Sequence, residues 1–165
     1  LNKSKSFCML PWVHMHYWPD GSALPCCVAD SSLPVGNVGK DPIRQVWNND
    51  KMKTIRRQML ADEPCKECKR CNVLEKFGGQ GLRKSANNTY AKHFDMVEST
   101  RWDGDVEKIR MAFMDVRFSN VCNLRCSTCG PELSTSWYDD QIKIFGNDIN
   151  GSRYRRFFLS LFFSN

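Results

Sequence analysis

At 165 residues, 41% hydrophobic and 25% charged, the chain has the composition of a globular protein, which excludes a disordered or fibrous one. Its net charge of +6 is spread over basic runs at Arg56-Arg57, residues 66–70 and residues 153–156. These read as solvated faces, and with no single-strand-binding motif beside them specific nucleic-acid binding is not expected. The polar, basic start is no signal peptide, and the most apolar stretch, residues 157–163, is too short to cross a bilayer, which together predict a cytoplasmic protein.

In chain order, residues 7–38 read as short strands joined by turns. Asp20-Gly21 supplies the positive φ angles of a tight hairpin between Val13-His14-Met15-His16-Tyr17 and Ala23-Leu24-Pro25-Cys26. Gly36-Asn37 predicts a second turn. His14 and His16 share one strand face, where core or surface roles are expected rather than metal ligation. Asp41 as N-cap and Pro42 at the first position open a helix with Ile43, Val46 and Trp47 on its apolar side. Asp50 is expected to cap the next, whose buried side carries Met52, Ile55, Met59 and Leu60. Pro64 ends that helix and opens a loop over residues 65–71. Residues 78–105, rich in Gly, Asn and Asp, read as a linker with a short helix over 89–97. Gly78-Gly79-Gln80-Gly81 is no phosphate loop, since no strand precedes it and no Lys-Ser/Thr follows. Residues 109–118 predict a strand, with Met114, Val116 and Phe118 on one face and Asp115 and Arg117 on the other. A loop over 119–130 follows, then a helix from Pro131 to about Ile144 that packs through Leu133, Trp137 and Ile142. Trp12, Trp18, Trp47 and Trp137 read as packing residues.

Cysteine is the residue that stands out. There are nine, six before residue 72 and three after residue 121. In a reducing cytoplasm such close-spaced thiols point to metal ligation rather than disulfides. Cys122, Cys126 and Cys129 form a CxxxCxxC loop between a strand and a helix. Three thiolates on one compact loop can hold three irons of a cubane cluster and leave the fourth open. A three-thiolate zinc site with a distant fourth ligand such as His93 is the rival.

This loop, with Asn123-Leu124-Arg125 inside it and Gly130 after it, resembles the cluster-binding loop of the radical S-adenosylmethionine (SAM) superfamily. The resemblance implies a 4Fe-4S cluster whose open iron binds SAM. It implies reductive cleavage of SAM to a 5′-deoxyadenosyl radical, and an electron donor such as flavodoxin or ferredoxin. Thr128 departs from the superfamily, which usually has an aromatic residue there. The earlier pattern of Cys8, Gly21 to Cys26, an intervening helical stretch, Cys68-Lys69-Arg70-Cys71 and then Glu75 is similar to the auxiliary-cluster domains called twitch and SPASM. That resemblance implies a second, closed 4Fe-4S cluster on Cys8, Cys26, Cys68 and Cys71. Cys27 and Cys65 are left over, although Cys65-x-x-Cys68 is also a legal pair and a zinc-ribbon-like knot is an open alternative.

The expected fold is therefore α+β. A hairpin-plus-helix auxiliary cluster domain over residues 1–77 and a linker over 78–105 precede the first β-α unit of a truncated radical SAM (β/α) barrel over 106–165. Only 36 residues follow Cys129, whereas a full barrel takes about 200, and no Gly-Gly-Glu is among them. A longer parent protein is thus expected, in which SAM cleavage acts on a substrate this sequence does not name. The alternative function is a non-catalytic zinc or iron–sulfur binding or electron-transfer module.

Overall fold

The Asp20-Gly21 turn forms as its residue types dictate. Gly21 takes φ +83°, Trp18 N–H donates to the Ser22 carbonyl at 2.9 Å, and Asp20 Oδ1 accepts from Ser22 N–H at 2.9 Å. This computed structural model describes residues 4–146; the basic run at 153–156 and the apolar stretch at 157–163 lie outside them. The turn joins β1 (His14–Tyr17) to β2 (Ser22–Leu24), antiparallel with His16 opposite Leu24. Gly36-Asn37, expected as a turn, is instead a third strand, β3 (Gly36–Asn37), paired with β2. What Gly36 supplies is room: a Cβ there would lie 2.8 Å from Val46 Cγ1.

The fourth strand, β4 (Phe113–Val116), runs parallel to β1, with His16 opposite Asp115, and completes a sheet of order β3-β2-β1-β4. It is shorter than expected. Met114 in this edge strand is exposed, as is Phe118 just beyond it. The strand leading into the second cysteine group is thus built onto the hairpin of the first. The architecture is a mixed α+β one, and no closed barrel is present among the described residues.

Helices cover this sheet. α1 (Leu10–Val13), a single turn not expected from the sequence, is buried throughout. In α2 (Ile43–Trp47) Pro42 is the N-cap rather than the first helical residue, and Asp41 makes no cap. α3 (Asp50–Leu60) is capped by Asn49 rather than Asp50: the Asn49 side chain accepts from Met52 N–H at 3.0 Å. Asp50 lies in the first turn instead, where its charge meets the positive end of the helix dipole. Met52, Ile55 and Met59 are buried as their spacing predicts, but Leu60 is 48% exposed and the fourth buried position belongs to Arg56. Its guanidinium satisfies the Pro11 carbonyl at 3.0 Å and Asn48 Oδ1 at 2.9 Å, and lies 5.0 Å over the Trp47 ring. Trp12 and Trp47 are fully buried, while Trp18 and Trp137 are half-buried.

Two further expectations are corrected. Residues 65–71 are not a loop: a 3₁₀ turn (Lys66–Cys68) leads straight into α4 (Lys69–Lys76). Residues 78–105 carry α5 (Leu82–Thr89) and α6 (Asp95–Glu98), whose Ala86, Asn87, Met96 and Val97 are buried in the same core. After the second cysteine loop, α7 (Tyr138–Phe145) begins later than Pro131, following a 3₁₀ turn (Thr135–Trp137), and its Ile142 is exposed. Among the described residues no helix is long and apolar enough to cross a membrane.

Candidate metal centre

Three separate stretches bring cysteines to one place. Cys8 precedes α1, Cys26 follows β2, and Cys68 and Cys71 lie at the start of α4. All four line one cavity, together with the apolar side chains of Leu10, Val28, Ala29, Met59 and Leu82. Cys8 and Cys26 are buried at 7% and 9% exposure, whereas Cys68 and Cys71 form the half-buried side. The space between them is about 20 Å³, roughly that of one water. A cubane would therefore enter only as the walls move outward.

The electrostatics follow from this gathering of thiols. Burial pushes the Cys26 thiol up to about 12, and the negative charges that Cys68 and Cys71 would carry push the same way. Burial likewise raises Cys8 well above the usual thiol range, with Cys26, Cys68 and Cys71 adding to it. Cys68 is raised first by its hydrogen bond with the Cys65 thiol and then by burial. Cys8, Cys26 and Cys68 therefore stay protonated until a cation compensates their charge, and binding then releases their protons. Four sulfur donors in an apolar wall suit a soft, multiply charged group such as an iron–sulfur cluster or zinc. Among the described residues no three His, Cys, Asp or Glu side chains gather closely enough to hold one ion, so the walls would have to move for either group.

Cys27 and Cys65 are not on the cavity wall. Cys27 is exposed. Cys65 is buried behind Cys68, its Sγ 3.6 Å from the Ile55 carbonyl. His14 and His16 are fully buried; His16 Nδ1 meets Asp115 Oδ2 at 2.8 Å, and His14 stacks on Phe113 at 3.9 Å. They serve the sheet rather than the thiol site.

Cys122, Cys126 and Cys129 lie on the loop after β4. Cys126 is exposed and the other two are half-buried, and the three are not drawn into a common metal-holding set. The loop is nonetheless shaped. Ser136 Oγ donates to the Cys122 carbonyl at 2.7 Å and Ser134 Oγ to the Leu124 carbonyl at 2.7 Å. Cys129 N–H donates to the Cys126 carbonyl at 2.9 Å, and Arg125 pairs with Asp140 at 2.9 Å.

Sequence reasoning missed the contribution of α5. Leu82 and Arg83 line the thiol cavity, and the fully buried Asn87 accepts from Met9 N–H at 2.8 Å and donates to the Phe7 carbonyl at 3.1 Å. No pattern in the sequence announced this contribution. No curated protein and no solved structure matches the chain. Residues 8–72, a span that holds Cys8, Cys26, Cys68 and Cys71 and stops short of α5, match the family model of SPASM, an iron–sulfur cluster-binding domain.

Proposed function

We propose that the chain is an iron–sulfur protein of the radical SAM type, with an auxiliary 4Fe-4S cluster on Cys8, Cys26, Cys68 and Cys71 and a SAM-binding one on Cys122, Cys126 and Cys129. The observation that carries this reading is the convergence of four cysteines from three stretches on one apolar cavity, inside the segment that matches an iron–sulfur cluster-binding model. Four thiolates saturate a cubane, so the first site is closed and suited to electron transfer or structure. Cys122, Cys126 and Cys129 would hold three irons and leave the fourth open to SAM, and a cluster held there would supply one-electron reductive chemistry.

The chain's own residues do the holding. Ser134 and Ser136 tie the carbonyls of Leu124 and Cys122 to the turn before α7, which keeps the loop's thiols at the end of β4. The exposure of Cys126 leaves one side of that loop free for a small molecule. The reading places the protein in the cytoplasm, whose reducing poise keeps thiols available as ligands, with a low-potential donor such as flavodoxin or ferredoxin as partner.

A second reading, an electron-transfer module loaded at the first site alone, is favoured by the shared cavity of the first group and the exposure of Cys126 in the second. Anaerobic reconstitution of Cys126→Ala separates the two. Loss of about half the iron supports two clusters. Unchanged iron supports the single-site module, and loss of all iron would mean one shared site and overturn both.

A further inference from the structure

Arg83 is 5% exposed and lines the thiol cavity from α5, beyond the segment that matches the cluster-binding model. Among the described residues on that wall it is the only cation. All three of its guanidinium nitrogens have a partner. Nε donates to Glu75 Oε1 at 3.1 Å, and Nη2 pairs with Glu75 Oε2. Nη1 donates to the carbonyls of Ser4 at 3.0 Å and Phe7 at 2.9 Å. Phe7 directly precedes Cys8, and Glu75 lies one helical turn beyond Cys71, so a single side chain ties two ligand-bearing segments together. The start of α5 also sits hard against α4. A Cβ on Gly81 would come within 2.7 Å of Glu75 Oε1 and 3.3 Å of Cys71 Cβ.

We infer that Arg83, balanced by Glu75, is the positioning and charge-compensating residue of the four-cysteine site, and that this pair sets the reduction potential of the cluster held there. The inference rests on the cluster reading above. A four-thiolate cubane carries net negative charge, and the one-electron reduced form carries more. A buried cation at the wall stabilises the reduced form most and raises the potential, whereas the Glu75 carboxylate pulls it down. Burial makes both effects large, because little solvent screens them.

The two charges give the test opposite signs, which a merely structural tie would not. In the Cys126→Ala background, where only the first cluster remains, the reduction midpoint is read by titration with a chemical reductant under an electron paramagnetic resonance probe. Arg83→Gln should disfavour reduction at least tenfold, 59 mV for one electron. Glu75→Gln should favour it, and Arg83→Lys should stay near the native value. If Arg83→Gln fails to load iron, Glu75→Gln decides by its sign. Unmoved midpoints, or shifts of the same sign in both variants, overturn the inference while the cluster stands. A native chain that takes up no iron and sulfide overturns the cluster reading and the inference with it.

Discussion

Asn87→Ala is the substitution in which the fold and the thiol site meet. Asn87 is fully buried, and its Oδ1 is the acceptor for Met9 N–H. Truncation strands that N–H in a residue of no exposure, at a cost of about 1–3 kcal/mol. The Phe7 carbonyl keeps its bond from Arg83 Nη1, so only one group is orphaned. The lost amide also leaves a small void, and together the expected loss is about 2–3 kcal/mol. For a chain of this size that lowers the melting temperature by about 4–12 °C. Urea unfolding of the reduced apoprotein, followed by circular dichroism, measures it. Because Met9 adjoins Cys8, the variant should also lose cluster iron faster than the native protein on exposure to a chelator. A stability loss below about 0.5 kcal/mol, the range of ordinary surface changes, would refute the placement of α5 in the core.

Two further outcomes are expected. Cys27→Ser and Cys65→Ser should leave iron content and visible absorption near native, while Cys68→Ser should not; bleaching by Cys65→Ser with Cys71→Ser unaffected would move the ligand assignment by one turn. Burial lowers the His14 imidazole from 6.5 to about 4, so between those values the unfolded chain binds more protons than the folded one. Stability should therefore fall as pH drops from 6.5 towards 4, by up to about 3 kcal/mol from this residue. In His14→Phe that slope should flatten, and an unchanged slope would contradict the assignment.

How legible the molecule was in its sequence depends on the range of the interaction involved. The Asp20-Gly21 hairpin and the apolar face of α3 are local, and both were readable from turn chemistry and 3.6-residue spacing. The parallel pairing of β1 with β4 joins residues about a hundred positions apart, and no pattern in either strand announces it. α5 was missed for a different reason. Its Leu-Arg-Lys-Ser-Ala-Asn-Asn-Thr sequence offers only Leu82 and Ala86 as apolar residues, and it enters the core through the hydrogen bonds of Arg83 and Asn87. Gly36 was misread because glycine marks both turns and close approaches, and only the position of Val46 decides which. Of the site, it was the resemblance to the auxiliary-cluster domains that singled out Cys8, Cys26, Cys68 and Cys71, the four that share the cavity; spacing alone left Cys65 as an alternative to Cys71. Arg83 could not be paired with Glu75 from sequence, since the Gly78-Gly79 turn that brings α5 back onto α4 reads as linker.

Whether this chain holds iron–sulfur clusters on its grouped cysteines is decided by anaerobic reconstitution of the native protein. Iron, acid-labile sulfide and zinc are then counted on the desalted product. Iron and sulfide are expected in equal amounts, about four of each for every cluster bound. Tightly held zinc without sulfide would contradict the cluster reading.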